Sequence, residues 1–295
     1  MKQNKPNFVI IGAAKSGTTS LFDYLTQHPD IYVPEIKECK YFSYDGDYEG
    51  PGSERMNARL IKSSEDYYQL FQNRSESLLG DISADYIFYH EKVIPRIVKD
   101  LGTDIKVIAI LRNPVDRAYS AYLHKVRDLL ETLTFEEALN EEAKRIRNNW
   151  EFLWYYKTAG LYSEAIAHYA SVFPHFKVFL FDDLKKDPKK VTKELFQILE
   201  VDEEIEIEYT IKNFSGVPKS KHLQSVLRSN SEVKKWILSL IPKTIRTKAK
   251  DYLLKRNLSK QKMNVETRAE LARFFTDDIN KLEKIINRDL SKWLM

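Results

Sequence analysis

The chain has 295 residues, 43% of them hydrophobic and 12% aromatic, with a net charge of +4. It is long enough to bury a large core and too apolar to be a disordered segment, and so weak a net charge excludes a molecule whose whole surface grips polyanions. The single cysteine, Cys39, excludes an internal disulfide and suits a reducing cytoplasm; the apolar run near the N-terminus is too short for a signal peptide, and no stretch of about 20 apolar residues offers a membrane span.

Asn7–Ile11 reads as a buried strand that ends in a small-residue turn and opens into a helix over Thr18–Gln27, closed by His28-Pro29. Ile31–Val33 is a short extended piece. Ser43–Ser63 is polar and holds Gly46, Gly50, Pro51 and Gly52, so a long loop is expected at 43–63, and such loops inside compact domains are often functional. A short helix is expected at Glu65–Phe71, a strand at Leu78–Ile82 and a helix at Glu91–Leu101. Ile105–Leu111 is the clearest second buried strand, rich in β-branched residues. Pro114 then starts a helix running to about Leu130, in a position where proline is tolerated. Phe135–Asn148 is charged and helical. Tyr162–Phe173 is an amphipathic helix leading into a strand at Lys177–Phe181. A helix over Lys190–Leu199 and a long one over Glu266–Ile286 follow. No internal repeat or low-complexity linker breaks 1–295, so a single domain is expected.

Strands alternating with helices predict an α/β, P-loop-like three-layer fold, with a central, mainly parallel sheet flanked by helices. Ligands of such sheets sit at the carboxyl ends of strands. Two strand ends qualify: Gly12–Thr19 and Arg112–Ser120. Gly12 and Gly17 have the spacing of the nucleotide loop GxxxxGK[ST], whose backbone N–H groups cradle phosphate. The lysine of that motif follows the second glycine; here Thr18 follows it, and the lysine is Lys15, two places earlier. The second strand also runs into Arg112 rather than a carboxylate that would organise Mg²⁺. Both departures argue against ATP or GTP hydrolysis and for another phosphate-bearing donor. Arg112 offers a planar fork of donors and Ser120, about two helical turns on, a hydroxyl, which together suit a second phosphate.

The segments KSGTTSL (Lys15–Leu21) and LRNPVDRAYSAYLH (Leu111–His124) resemble the two signatures of sulfotransferases that use 3′-phosphoadenosine 5′-phosphosulfate (PAPS), in the branch of heparan sulfate sulfotransferases and their bacterial relatives. HPDI (28–31), IKECKYF (36–42), GDISADYIF (80–88), AGLY (159–162), NFSGVPKSKHL (213–223) and DLSKWL (289–294) extend the resemblance nearly end to end. It implies that Lys15, Ser16, Gly17, Thr18, Thr19 and Ser20 hold the 5′-phosphosulfate, with Lys15 neutralising the leaving oxygen, and that Arg112 and Ser120 hold the 3′-phosphate. It implies that Glu38 is the base that takes the acceptor's proton. His124, four residues after Ser120 and on the same helix face, matches a histidine of the N-sulfotransferase relatives and is implied as an acceptor contact or alternative base. Lys219 and Ser220 stand where the family closes a basic loop over the nucleotide, although the relatives' KGR pattern is not intact. Lys40 replaces a histidine common in relatives, which leaves three readings open, binding an anionic acceptor, assisting the donor or facing solvent; for a single lysine the last is expected.

The implied reaction is in-line transfer of a sulfuryl group from PAPS to a hydroxyl or amine of a carbohydrate or small natural product. No metal is required, and His28, His90, His168, His175 and His222 lack metal-ligand spacing. Lys219–Arg256 carries eleven Lys/Arg against two acidic residues. It begins a basic helical part at 219–295 that reads as a positive rim; no nucleic-acid module frames it, so nucleic acid is not an expected partner. The cytoplasm is the expected compartment. The rival readings are a P-loop kinase or NTPase, and a non-catalytic nucleotide-binding protein on the same fold.

Overall fold

The computed structural model of the protein describes residues 4–209, 216–228, 252–253, 256–259 and 261–295. Strands β1 (Phe8–Gly12), β2 (Ile31–Tyr32), β3 (Leu78–Ile82), β4 (Lys106–Leu111) and β5 (Phe176–Leu180) form one sheet in the order β2-β3-β1-β4-β5. Every neighbouring pair is parallel. The expected strands are therefore present; the last begins and ends one residue early because Phe181 opens a helix.

The helices are α1 (Thr18–Leu25), α2 (Ser53–Asn57), α3 (Ser64–Gln69), α4 (His90–Leu101), α5 (Pro114–Arg127), α6 (Phe135–Asn140), α7 (Glu142–Arg147), α8 (Ser163–Val172), α9 (Phe181–Lys186), α10 (Pro188–Leu199), α11 (Lys221–Arg228) and α12 (Val265–Ile286). Side chains alternate across a strand, so each strand feeds two cores. Phe8 and Ile10 of β1 with Ile108 and Ile110 of β4 pack against α1, α9 and α10. Val9 and Ile11 with Val107, Ala109 and Leu111 pack against α4, α5, α8 and α12. That is the three-layer arrangement.

Three expectations need correction. The 43–63 segment is not wholly loop: α2 lies within it, preceded by a 3₁₀ turn at Tyr41–Ser43. The single helix expected at Phe135–Asn148 is two, α6 and α7. Thr134 and Glu137 form a capping box that starts α6, and the chain breaks after Asn140. Helix α9 had no expectation at all. The basic 219–295 part is helical at α11 and α12, but it also holds β7 (Leu258–Ser259), which pairs antiparallel with β6 (Val217–Pro218) just ahead of it; most of Lys219–Arg256, which carries the excess of positive charge, lies outside the described residues.

The chain passes from β1 to β2 and β3 on one side, and then to β4 and β5 on the other. That reversal puts a crevice at the carboxyl ends of β1 and β4, where open parallel sheets bind ligands.

Candidate active site

Three adjacent strand ends build the site. At β1 the chain turns through Gly12 at φ 136° and Gly17 at φ 101°. Each is a backbone shape that favours glycine, and each also lacks room for a side chain: a Cβ on Gly12 would lie 2.7 Å from the Ala84 carbonyl oxygen, and one on Gly17 2.9 Å from Leu184. Gly17 caps α1 without a side-chain acceptor; the Ser20 N–H turns back to the Gly17 carbonyl at 2.9 Å, and the Thr18 and Thr19 N–H groups, which have no helical carbonyl before them, are left for an anion. Thr18 and Ser16 are buried, Thr19 and Ser20 partly so. Lys15 sits between the glycines with φ 70°, an unfavourable shape for a lysine that the loop holds in place.

At β4, Arg112 follows the last strand residue. Its Nη1 donates to the Lys15 carbonyl at 3.1 Å, and its guanidinium lies over the Phe181 ring at 5.0 Å. Ser120 is buried on α5. At β3, the Glu38 N–H donates to the Ile82 carbonyl at 3.1 Å, which pins the turn of residues 37–40 to the sheet. Glu38 and Lys40 both have positive φ, 62° and 57°. Lys37 reaches across to donate to Thr19 Oγ1 at 2.5 Å, joining this turn to the start of α1.

The side chains converge on Lys15. Its Nζ is 3.4 Å from His124 Nδ1. Burial lowers its pKa to about 7, helped by the nearby Arg127 and Arg112 guanidiniums, with Glu38 and Asp128 pulling the other way. Burial likewise lowers Lys37 and Arg112 below their ordinary values. Concentrating cations here is unfavourable without an anion and favourable with one. The Thr18 and Thr19 N–H groups and these cations fit a ligand with two anionic ends.

Sequence reasoning missed Lys37 and Arg127. Arg127 Nη2 lies 2.7 Å from His124 Nδ1. The pair is spaced i, i+3 on α5, so helical periodicity was the available signal. Lys37 had only its place beside Glu38 to mark it. Lys40 is not at solvent: it is wholly buried. The structure does not join Lys219 or Ser220 to Lys15 or Arg112 by any described bond. The Lys219 and Ser220 N–H groups donate to Asn257, at 2.7 and 3.0 Å. Their segment docks on α5 through Gln224, which donates to the Arg127 carbonyl at 2.8 Å.

A glycine-turned anion loop at a strand end, with a second cationic strand end beside it, defines a nucleotide-binding α/β protein of the P-loop type. The chain belongs to the sulfotransferase-domain family, whose model matches residues 5–283; this family transfers sulfuryl groups, which removes the kinase and NTPase reading. Human bifunctional heparan sulfate N-deacetylase/N-sulfotransferase 3 is 26% identical over 212 residues, 66% of this chain and 22% of that protein. Its mouse counterpart is 25% identical over 305 residues, 98% of this chain and 31% of that protein. The membrane-associated sulfotransferase kil1 of Dictyostelium discoideum is 34% identical over 144 residues, 47% of this chain and 28% of that protein. The chain thus spans less than a third of the length of these relatives. The crystal structure of a sulfotransferase from Alicyclobacillus acidocaldarius matches with a TM-score of 0.78 and 34% identity, covering 99% of this chain and all of that one. Mouse sulfotransferase SULT7A1, solved with PAP, shares the fold at a TM-score of 0.52 and 14% identity, over 96% of this chain and 86% of that one. Among the described residues no helix is long and apolar enough to cross a membrane.

Proposed function

We propose that the protein moves the sulfuryl group of PAPS to a hydroxyl or amine of a carbohydrate or small-molecule acceptor, acting as one domain over 1–295 in the cytoplasm. The observation that carries this reading is the position of Lys15. Its ammonium meets the acceptor-side residue His124, and its carbonyl is held by Arg112, the residue assigned to the 3′-phosphate. One residue thereby links both anionic ends of the donor to the reacting centre.

In the proposed step the acceptor oxygen or nitrogen forms a bond to sulfur while the bond from sulfur to the bridging oxygen breaks. The electron pair of that bond goes to the 5′-phosphate of the departing adenosine 3′,5′-bisphosphate (PAP), and the acceptor's proton goes to Glu38. Positioning and electrostatics supply most of the rate in such transfers. The α1 N-terminus and Lys15 neutralise the charge on the leaving oxygen. Lys37, which ties the Glu38 turn to Thr19, keeps base and donor loop at a fixed separation. Ser120 and Arg112 anchor the 3′-phosphate, and Lys219 and Ser220 border the nucleotide from the segment docked on α5.

Glu38 is preferred to His124 as the base on chemical grounds. A guanidinium can only donate, so Arg127 at 2.7 Å occupies the lone pair of His124 Nδ1. His124 then orients the acceptor or Lys15.

The test is a screen of labelled PAPS against carbohydrate, phenol and amine acceptors, with mass-spectrometric detection of the added sulfuryl group. Wild type should sulfate at least one class, and Lys15→Met should lower the rate by roughly 10²–10³. Wild-type rates in Lys15→Met would overturn the assignment, and failure to bind PAP would overturn the donor.

A further inference from the structure

Four ionisable groups lie in the interior beside the site, and the proposed transfer step uses none of them. Lys40 donates from Nζ to Glu151 Oε1 at 3.1 Å, and Lys125 donates to Glu151 Oε2 at 3.0 Å. Asp85 Oδ2 lies 3.9 Å from Lys40 Nζ and accepts from Ser43 Oγ at 2.7 Å. All four residues are buried. The two lysines also rest on aromatic faces: Lys40 over Phe152 at 4.8 Å and Tyr48 at 5.3 Å, and Lys125 over Trp154 at 4.7 Å.

Buried ion pairs are poor stabilisers, because apolar side chains of the same volume pack as well without the cost of desolvation. What a two-pronged carboxylate supplies is direction. Lys40 belongs to the turn that carries Glu38, two residues away. Lys125 is the residue after His124 on α5. Glu151, between α7 and the 3₁₀ turn Phe152–Trp154, touches both, one oxygen each. We propose that Glu151 is a positioning residue for the transfer step, its carboxylate clamping the Glu38 turn to the helix that carries His124 and thereby setting where the base stands relative to Lys15. Both lysines hold this carboxylate ionised: its pKa falls to about 2 against the opposing effect of burial. The clamp rests on the roles given above to Glu38 and His124, and it assigns Lys40 to the support of the base rather than to the acceptor.

The chain carries its own reporter. Cys39, the single cysteine, lies between Glu38 and Lys40 and is buried, with Sγ 3.6 Å from Asp81 Oδ1. Its reaction with a thiol reagent such as dithiobis(nitrobenzoate) measures whether the turn stays seated, with neither donor nor acceptor present. Glu151→Gln and Lys40→Met are to be compared with Arg145→Gln, which breaks the neighbouring Arg145–Glu131 pair (2.9 Å) without touching the turn. The expected result is Cys39 labelling at least about tenfold faster than in Arg145→Gln, with kcat lowered at least about tenfold and PAP affinity within about twofold of wild type. Glu151→Asp keeps the charge balance and hence the fold, but is one methylene too short to span both lysines, and should show the same pair of changes. Labelling no faster than in Arg145→Gln, or a kcat within about twofold of wild type in folded Glu151→Asp, would overturn the clamp. A wild type that binds no PAP would instead count against the proposed function, while the thiol measurement would still decide the clamp.

Discussion

Arg112 donates to the main-chain carbonyl of Lys15 across 3.1 Å, so the residue assigned to one end of the nucleotide also shapes the loop assigned to the other. Affinity for the two ends is therefore expected to be coupled. Arg112→Lys keeps the charge but loses the planar fork. PAP should bind more weakly by about 1.5–3 kcal/mol, the worth of a hydrogen bond to a charged group. Adenosine 5′-monophosphate, which lacks the 3′-phosphate, should lose less. Calorimetry on both ligands checks this; equal losses would mean that Arg112 acts only by propping the Lys15 loop.

Lys15 should make donor binding depend on pH. Its pKa in the free protein is about 7 against an ordinary 10.5, so above about pH 7 the free side chain is mostly neutral. A bound anion favours the ammonium and must raise that pKa, so binding takes up a proton and weakens as pH rises from about 7. The unfolded chain keeps this proton up to the ordinary lysine value. Over pH 7 to 10.5 it therefore binds more protons than the folded chain, and this group makes the free protein more stable as pH rises. Titrations at pH 8 in buffers of different ionisation enthalpy should show net proton uptake, and uptake should vanish in Lys15→Met.

Glu38→Gln removes the proposed base while keeping its shape. Single-turnover transfer should slow by roughly 10²–10⁴ with PAP affinity unchanged. His124→Gln should slow it far less, because its Nδ1 already accepts from Arg127. A larger loss in His124→Gln than in Glu38→Gln would exchange the two roles.

Gly80 tests the sheet under the site. It pairs with Phe8 across β1 and β3, and a Cβ there would lie 2.0 Å from the Phe8 ring. Gly80→Ala should cost about 1–3 kcal/mol by overpacking and lower the thermal midpoint by several degrees. Phe8→Leu in the same chain should restore part of the loss. An unchanged midpoint in Gly80→Ala would show that Phe8 can move aside.

Local chemistry made much of this legible. The β-branched run Ile105–Leu111 announces β4, and the glycine spacing around Lys15 announces the anion loop. What stayed hidden depends on contacts far apart in sequence. Phe181 continues the apolar run of β5, yet opens α9, and nothing nearby separates those outcomes. Lys40 has the look of a surface lysine because its partner Glu151 is 111 residues away. Lys37 and Thr19 are 18 residues apart, brought together only when the Glu38 turn bonds to the end of β3. The 43–63 segment was legible as polar and glycine-rich, but the five residues that form α2 within it carry no strong helical period.

Because the strands run in the order β2-β3-β1-β4-β5, β1 and β4, which lead into Lys15 and Arg112, and β3, to which the Glu38 turn is bonded, are the inner ones, each hydrogen-bonded on both sides. Inner strands are the last part of a protein to open. Amide exchange should be slowest at Val9, Ile10 and Ile108, directly beneath the donor loop. Under the proposed function, variation in the acceptor is expected to accumulate in the segments laid over this stationary floor, without disturbing the contacts assigned to the nucleotide.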